Sequence, residues 1–269
     1  MPDTALRIAI LGGGVMGETL AAGFLARLTP TPTVVVTEKR PERAAELSDR
    51  LGVRIASMSE AVSDADVVVL AVKPQDFRAM LAELAPSLRS GALVISIAAG
   101  IPTSIMEELL PGAAVVRVMP NTPARISRGV AGISAGSECT SADLDLAARL
   151  MESVGVVVRV PEGLQDAVTA VSGSGPAYVF YLAEAMIAAG VGMGLSPADA
   201  RLMAVNTILG AGELMAAGDE DPAVLRANVT SPNGTTAAAI ASMDDSGIRD
   251  AVIAAMTAAR DRSIELSGS

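Results

Sequence analysis

Three clusters in this chain have residue types and spacings suited to chemistry. The first is Gly12-Gly13-Gly14-Val15-Met16-Gly17, directly after the apolar run Leu6–Leu11. Glycines at the first, third and sixth places of a strand-to-helix turn suit a dinucleotide pyrophosphate. Gly12 permits the tight turn, Gly14 lets a phosphate approach the backbone, and Gly17 lets the new helix pack on the sheet. The helix start adds free N–H donors and a partial positive charge. An ordinary glycine-rich turn is the competing reading, and the strand before, helix after and second strand beyond speak against it. The second cluster is Glu38, Lys39, Arg40 and Arg43. Glu38 lies 21 residues beyond Gly17, where a carboxylate accepts hydrogen bonds from the ribose 2′-hydroxyl of NAD. The cations beside it suit the 2′-phosphate of NADP. Both readings stand at this point, as does one in which all four are solvated helix-start residues. The third cluster is the run Asn228–Thr236, between two late helices. Backbone N–H groups of residues 230–236 at a helix start can clamp a carboxylate; a plain inter-helix turn with a threonine N-cap is the alternative.

Two further segments carry open readings. Lys73 ends a strand and is one of only two lysines, Lys39 being the other. It is either a catalytic amine or a stem that shapes a cofactor groove. Ser172–Pro176 is either a second anion-binding turn or a close contact that needs small residues. Other chemistry is excluded by composition. The chain has no histidine and a single cysteine, Cys139. His-based triads and most zinc sites are therefore impossible, no metal is expected, and no intrachain disulfide can form. A reducing, cytoplasmic setting fits that cysteine usage. A net charge of −10 argues against a nucleic-acid partner, which needs a basic face.

The elements that must position these clusters follow from hydrophobic patterning. The chain has 269 residues, 51% of them hydrophobic and 19% charged, which suits a packed globular protein of one or two domains. With two Tyr, three Phe and no Trp, the core must come from Ala, Val, Leu, Ile and Met. Strands are expected at 6–11, 33–37, 53–55, 66–72, 92–97, 115–119, 130–134 and 156–160. Helices are expected at 14–28, 41–51, 59–63, 75–84 and 103–110. That alternation reads as a doubly wound α/β sheet of Rossmann type over residues 1–162. Residues 163–269 read as all-α, with helices at 164–172, from Pro176 onward, and at 197–217, 222–229, 235–243 and 248–266. Tyr178–Leu195 is the most apolar stretch, interrupted by Glu184 and glycines, and reads as a buried core helix rather than a membrane span. Only Met1–Thr4 precede the first strand, so no signal peptide is expected.

Taken together, Gly12–Gly17, Val69–Gln75, Ser96–Gly100, Met119–Pro123, Ser172–Tyr178 and Asn228–Thr236 resemble the pyrroline-5-carboxylate reductases. The resemblance keeps the motif order and runs from about residue 6 to 266. It implies reduction of 1-pyrroline-5-carboxylate to L-proline, the last step of proline biosynthesis, with NADP(H) and possible use of NAD(H). It also implies cofactor contacts at Gly12, Gly13, Gly14, Val15, Met16, Gly17, Arg40, Ala71, Val72, Lys73, Pro74, Ala99, Gly100 and Asn121. Of these, residues 71–74 would line the nicotinamide half. Ser231, Gly234 and Thr235 (through its backbone) would bind the substrate carboxylate, and Thr236 would hydrogen-bond the ring nitrogen as the catalytic residue. The helical region would be a dimerisation domain interlocked with a twofold mate, giving a homodimer or a higher oligomer of dimers. Each site would then combine parts of two subunits. The chain departs from the family pattern at Asn233, where Gly is usual; asparagine tolerates left-handed backbone, so the loop keeps its shape. Met58 stands near where relatives often carry an Asn at the adenosine side, and no contact is assigned to it.

The chemistry agrees independently. Reducing a protonated cyclic imine needs a placed hydride donor and a polar group at the nitrogen, with no metal and no strong base. A 3-hydroxyacid dehydrogenase of the 6-phosphogluconate dehydrogenase type shares the glycine turn and a helical second domain. It also needs a lysine on that domain, and none follows Lys73. A non-catalytic NADP(H)-sensing module is a further alternative, against which the complete Ser231–Thr236 loop argues.

Overall fold

Val- and Ile-rich runs stand well on a pleated surface covered on both faces, and here they build one eight-stranded sheet. The computed structural model describes residues 5–267, so the expectation about Met1–Thr4 lies outside the described residues. The strands are β1 (Arg7–Leu11), β2 (Thr33–Thr37), β3 (Arg54–Ile55), β4 (Val67–Leu70), β5 (Leu93–Ser96), β6 (Ala114–Met119), β7 (Gly129–Ala135) and β8 (Gly155–Arg159). Between them run α1 (Val15–Arg27), α2 (Pro41–Leu51), α3 (Met58–Val62), α4 (Phe77–Leu84), α5 (Thr103–Leu109) and α6 (Ser141–Glu152). The short α7 (Gln165–Val168) and a π turn at Thr169–Gly173 lead to α8 (Gly175–Gly192). The helices α9 (Pro197–Ala216), α10 (Pro222–Asn228), α11 (Thr235–Asp245) and α12 (Ile248–Ser267) complete the chain.

The strand order is β3-β2-β1-β4-β5-β6-β7-β8. From β3 to β6 all neighbours are parallel; β7 runs antiparallel to β6, and β8 is parallel to β7. The doubly wound sheet and the helical region expected from the sequence are both present. Alternation along β1 explains the two layers: Ile8 and Ile10 face Leu20, Phe24, Leu47 and Met151, while Ala9 and Leu11 face Phe77, Leu81, Leu84 and Met106. The chain crosses β1 in one direction toward β2 and in the other toward β4. Ligands of open α/β sheets bind at such a switch point, beyond the carboxyl ends of the strands.

Three expectations need correction. Ser141–Glu152, where the sequence reading places no element, is a helix. The signal was present: Thr140 and Asp143 form a reciprocal capping box, and Ala147, Ala148, Leu150 and Met151 are buried on one face. The antiparallel β7 was also unforeseen, because its apolar alternation carries no direction. Strand β4 is shorter than expected, running Val67–Leu70, although Ala71 N–H still donates to Leu11 O at 2.9 Å.

The chain divides into two compact units, Met1–Gly173 with Ala259–Ser269, and Ser174–Ala258. The end of α12 therefore belongs with the first unit, where Ser263 Oγ donates to Asp166 Oδ1 at 2.6 Å. In the second unit α8 packs closely on α9: a Cβ at Gly190 would stand 3.1 Å from that of Ala200. Helix α8 is not the buried core helix expected from its apolarity, since Phe180 and Tyr181 are 62% and 76% exposed. Among the described residues, no helix is long and apolar enough to cross a membrane.

Candidate active site

The first β–α turn is shaped by what a side chain would meet there. Gly12 has φ +116°, and a Cβ on it would lie 2.5 Å from the carbonyl oxygen of Ala71. A Cβ on Gly17 would collide with the carbonyl of Gly12. Both positions therefore need glycine for the fold alone. Gly13 is buried against Leu47 and Glu38. Gly14 is different: apart from its own chain neighbours, no protein atom lies within 4 Å of the place its Cβ would take. It is also the N-cap of α1 and offers no side chain to the helix start, so a bare cradle faces the uncapped N–H groups of Val15, Met16 and Gly17. That arrangement fits the pyrophosphate of a dinucleotide.

Register brings the other elements to the same edge. Leu11 pairs with Leu70, Leu70 with Ser96, and Ser96 with Arg117. Residues 71–74, 99–100 and 121, which follow β4, β5 and β6, thus leave the sheet beside the glycine turn. Ala71 and Val72 are half-buried, Lys73 and Pro74 are exposed, and Asp76 N–H donates to Lys73 O at 3.0 Å in the tight turn that follows. Ala99 is exposed and Gly100 half-buried. Asn121 is buried, and its amide is committed to the protein: Nδ2 donates to Ser172 O and Oγ at 3.1 Å, and Oδ1 accepts from Val130 N–H at 2.9 Å. The sequence carried no sign of this link between the end of β6 and the π turn. Close by, a Cβ on Gly173 would stand 2.6 Å from Met119 Cε, the tip of a flexible side chain.

The structure separates the four charged residues after β2. Arg43 is not available for a nucleotide: Nε donates to Gly13 O at 3.0 Å, and the guanidinium pairs with Glu46 and Glu18. It locks the glycine turn. Glu18, in the first turn of α1, joins this lattice through Arg50 as well, a role that sequence reasoning missed because it depends on α1 and α2 lying side by side. Glu38 pairs with Arg40, whose side-chain hydrogen bonds hold the carboxyl below its ordinary range despite partial burial. The same pair raises the Arg40 guanidinium further.

In the second unit, residues 228–234 turn tightly into α11. Gly234 N–H donates to Ser231 O at 3.1 Å, and a Cβ on Gly234 would press against Ser231 Oγ at 2.5 Å. Asn233 adopts φ +58°, the left-handed geometry expected of it. The N-cap is Gly234, with no side-chain cap, so the threonine-capped turn is ruled out. Thr235 and Thr236 instead open the helix with their N–H groups uncapped; Ser231 and Thr235 are exposed and Thr236 half-buried.

Comparison with known proteins agrees with this geometry. Residues 162–266 match the family described as pyrroline-5-carboxylate reductase dimerisation, and residues 7–100 match the coenzyme F420-dependent NADP oxidoreductases. A pyrroline-5-carboxylate reductase of Pseudomonas aeruginosa is 42% identical over 97% of each chain. The structure of the enzyme from Coxiella burnetii superposes with a TM-score of 0.93 at 34% identity, covering 98% of this chain and 99% of that one. A Plasmodium falciparum pyrroline carboxylate reductase, solved with NADP bound, superposes with a TM-score of 0.84 at 28% identity over 97% and 98% of the two chains. The chain belongs to the pyrroline-5-carboxylate reductase family.

Proposed function

We propose that this chain reduces 1-pyrroline-5-carboxylate to L-proline with NADPH, and with NADH as a second donor. The observation that carries the reading is the near full-length match to reductases of this name, read with the open cradle at Gly14. When bound, the nicotinamide supplies a hydride to the ring carbon of the C=N bond. The chain's own residues do the rest by positioning, which supplies most of the rate in hydride chemistry of this kind. Gly12–Gly17 hold the pyrophosphate, and Ala71, Val72, Lys73 and Pro74 with Ala99 and Gly100 line the groove beyond it. Asn121 acts by fixing Ser172 and Val130. Ser231, Gly234 and the N–H of Thr235 hold the carboxylate at the start of α11. Thr236 Oγ accepts from the N–H of the protonated imine and so orients its ring. Lys73 shapes the groove through its backbone and stem.

The chain works as a homo-oligomer, a dimer or an assembly of dimers, with residues 163–269 forming the substrate-binding and dimerisation region and each site drawing on two copies. Exposed Val179, Phe180, Tyr181 and Leu182 on α8 and Leu202, Met203 and Leu209 on α9 support this. The setting is cytoplasmic. The test is direct: mix the purified protein with NADPH and the imine and follow loss of reduced cofactor, with 3-hydroxyisobutyrate and NADP+ as control. Oxidation with the imine is expected. Its absence overturns the reading, and turnover of the hydroxyacid instead favours the dehydrogenase alternative.

A further inference from the structure

The buried polar side chains of the first unit are not spread evenly. Ser96, Thr103, Arg117, Ser134 and Gln165 are all nine-tenths or more buried, and they gather where β5, β6 and β7 adjoin. Ser96 pairs in register with Arg117 and Arg117 with Ser134, so their side chains share one face. Gln165 Nε2 donates to Ser134 Oγ at 2.8 Å. Two residues back on that face, Val94 and Val115 sit in the apolar layer with Met106 and Leu110. Arg117, with its side chain 7% exposed, has Glu162 as its ionic partner, Nη1 donating to Oε1 at 3.3 Å. The same carboxylate closes the start of α5. It accepts from Thr103 N–H through Oε1 at 2.7 Å and from Thr103 Oγ1 through Oε2 at 2.6 Å. A helix cap usually comes from the preceding residue, but here that is Pro102, whose side chain has no acceptor. The acceptor arrives instead from 59 positions along the chain.

We infer that Glu162 is a positioning residue for hydride transfer, fixing the loop between β5 and α5 that lines the nicotinamide groove; this rests on the groove proposed above. The loop has two feet. At one, Ala98 N–H donates to Ser96 Oγ at 3.2 Å; at the other, Thr103 is clamped by Glu162. Ala99 and Gly100, the groove residues, lie between them, and Gly100 takes a left-handed φ of +74°. The pairing with Arg117 ties the Glu162 carboxylate to β6, so the second foot is set by the sheet. A buried ion pair is a weak source of stability, since desolvation offsets much of the attraction. Its use here is geometric. Removing the charge leaves Arg117 buried without its counter-ion and α5 without its cap, so the second foot shifts. On the same proposal the phosphates are held elsewhere, at Gly12–Gly17. A displaced loop therefore alters where the nicotinamide stands without releasing the nucleotide. A misplacement of about 1 Å costs up to about 100-fold in rate.

The experiment loads the full-length protein with an equal amount of NADPH, mixes it rapidly with excess imine and follows loss of reduced cofactor in a single turnover. A merely structural role lowers the amplitude, which counts folded sites, and leaves the rate constant alone. Glu162→Gln is expected to lower the rate constant by about 10–100-fold, with NADPH affinity, from fluorescence titration, within about 3-fold of wild type. Stranding a buried arginine endangers the fold, so Thr103→Val serves as a second test that removes one donor and keeps the shape. It is expected to lower the rate constant by about 3–10-fold. Thr103→Ser, which restores the donor, should return it to within about 2-fold of wild type. A wild-type rate constant in either folded variant overturns the inference. So does a fall in NADPH affinity that matches the fall in rate, which would make the clamp a determinant of binding. Absence of a fast phase in the wild type would remove the proposed reaction and the inference with it, whereas wild-type reduction with unaltered variants removes the inference alone.

Discussion

Gly14 and Gly17, three residues apart along one turn, serve different ends, and substitution separates them. Gly14 sits in ordinary helix-entry backbone, φ −68°, with open space where a Cβ would go. Gly14→Ala should therefore leave the melting temperature within about 2 °C, since nothing in the fold is displaced, yet lower NADPH affinity by roughly tenfold or more through loss of the close phosphate approach. Gly17→Ala should instead unfold or strongly destabilise the protein, because its methyl group runs into the carbonyl of Gly12. Calorimetry with nucleotide titration checks both, and equal destabilisation would show that Gly14 is structural too. At the other end of the chain, Thr236→Ala should lower kcat/KM for the imine by about 10–100-fold with NADPH affinity nearly unchanged. A matching loss of cofactor affinity would place Thr236 at the nucleotide instead.

At the scale of elements, the ends of β1 and β4 opposite the site are held by one carboxylate. Asp66 accepts from Arg7 N–H at 2.8 Å and from the Arg7 guanidinium, and pairs with Arg89 at 3.0 Å. Burial pushes the Asp66 carboxyl up, but the hydrogen bonds and charge of Arg7, with Arg89 behind, outweigh it and leave it below its ordinary value. A carboxylate depressed in the folded state contributes stability above its unfolded value of about 3.9, and that stability is lost as pH falls through the lower folded value. Asp66→Asn should accordingly cost about 1–2 kcal/mol at neutral pH. The difference from wild type should shrink below about pH 4 as the native carboxyl protonates. Thermal melts across that range test it; a penalty independent of pH would mean that packing, not charge, ties these strands.

Taken whole, the chain carries two kinds of surface. The first unit buries its large apolar side chains in the two layers around the sheet. The second unit leaves many of its own exposed, among them Leu202 at 64% and Leu209 at 55%, seven residues apart on α9 and so on one face. The proposed homo-oligomer would use this apolar face of α9 to meet another copy. The double variant Leu202→Glu/Leu209→Glu should shift the protein toward monomer in light scattering and, on the proposal that each site draws on two copies, reduce imine turnover by at least about tenfold. A variant that stays oligomeric would move the interface off this face of α9.

The sequence by itself determined the parts that depend on short-range rules. Val and Ile runs, helix caps and the Gly12–Gly17 spacing state strand, turn and helix locally, and the Ser231–Thr236 loop carries its turn in its own glycine and asparagine. Even the overlooked α6 was written in Thr140 and Asp143. Tertiary structure alone decided which charged groups are free. Lys39, Arg40 and Arg43 look equivalent along the chain, yet Arg43 is drawn into the contact between α1 and α2, and Arg40 is left over the Glu38 carboxylate. It likewise committed the Asn121 amide to Ser172, 51 residues away, and reversed β7 against β6. The physical reason is common to all of these: backbone geometry is set by neighbours in sequence, whereas the partner of a side chain is set by whichever element packing brings beside it.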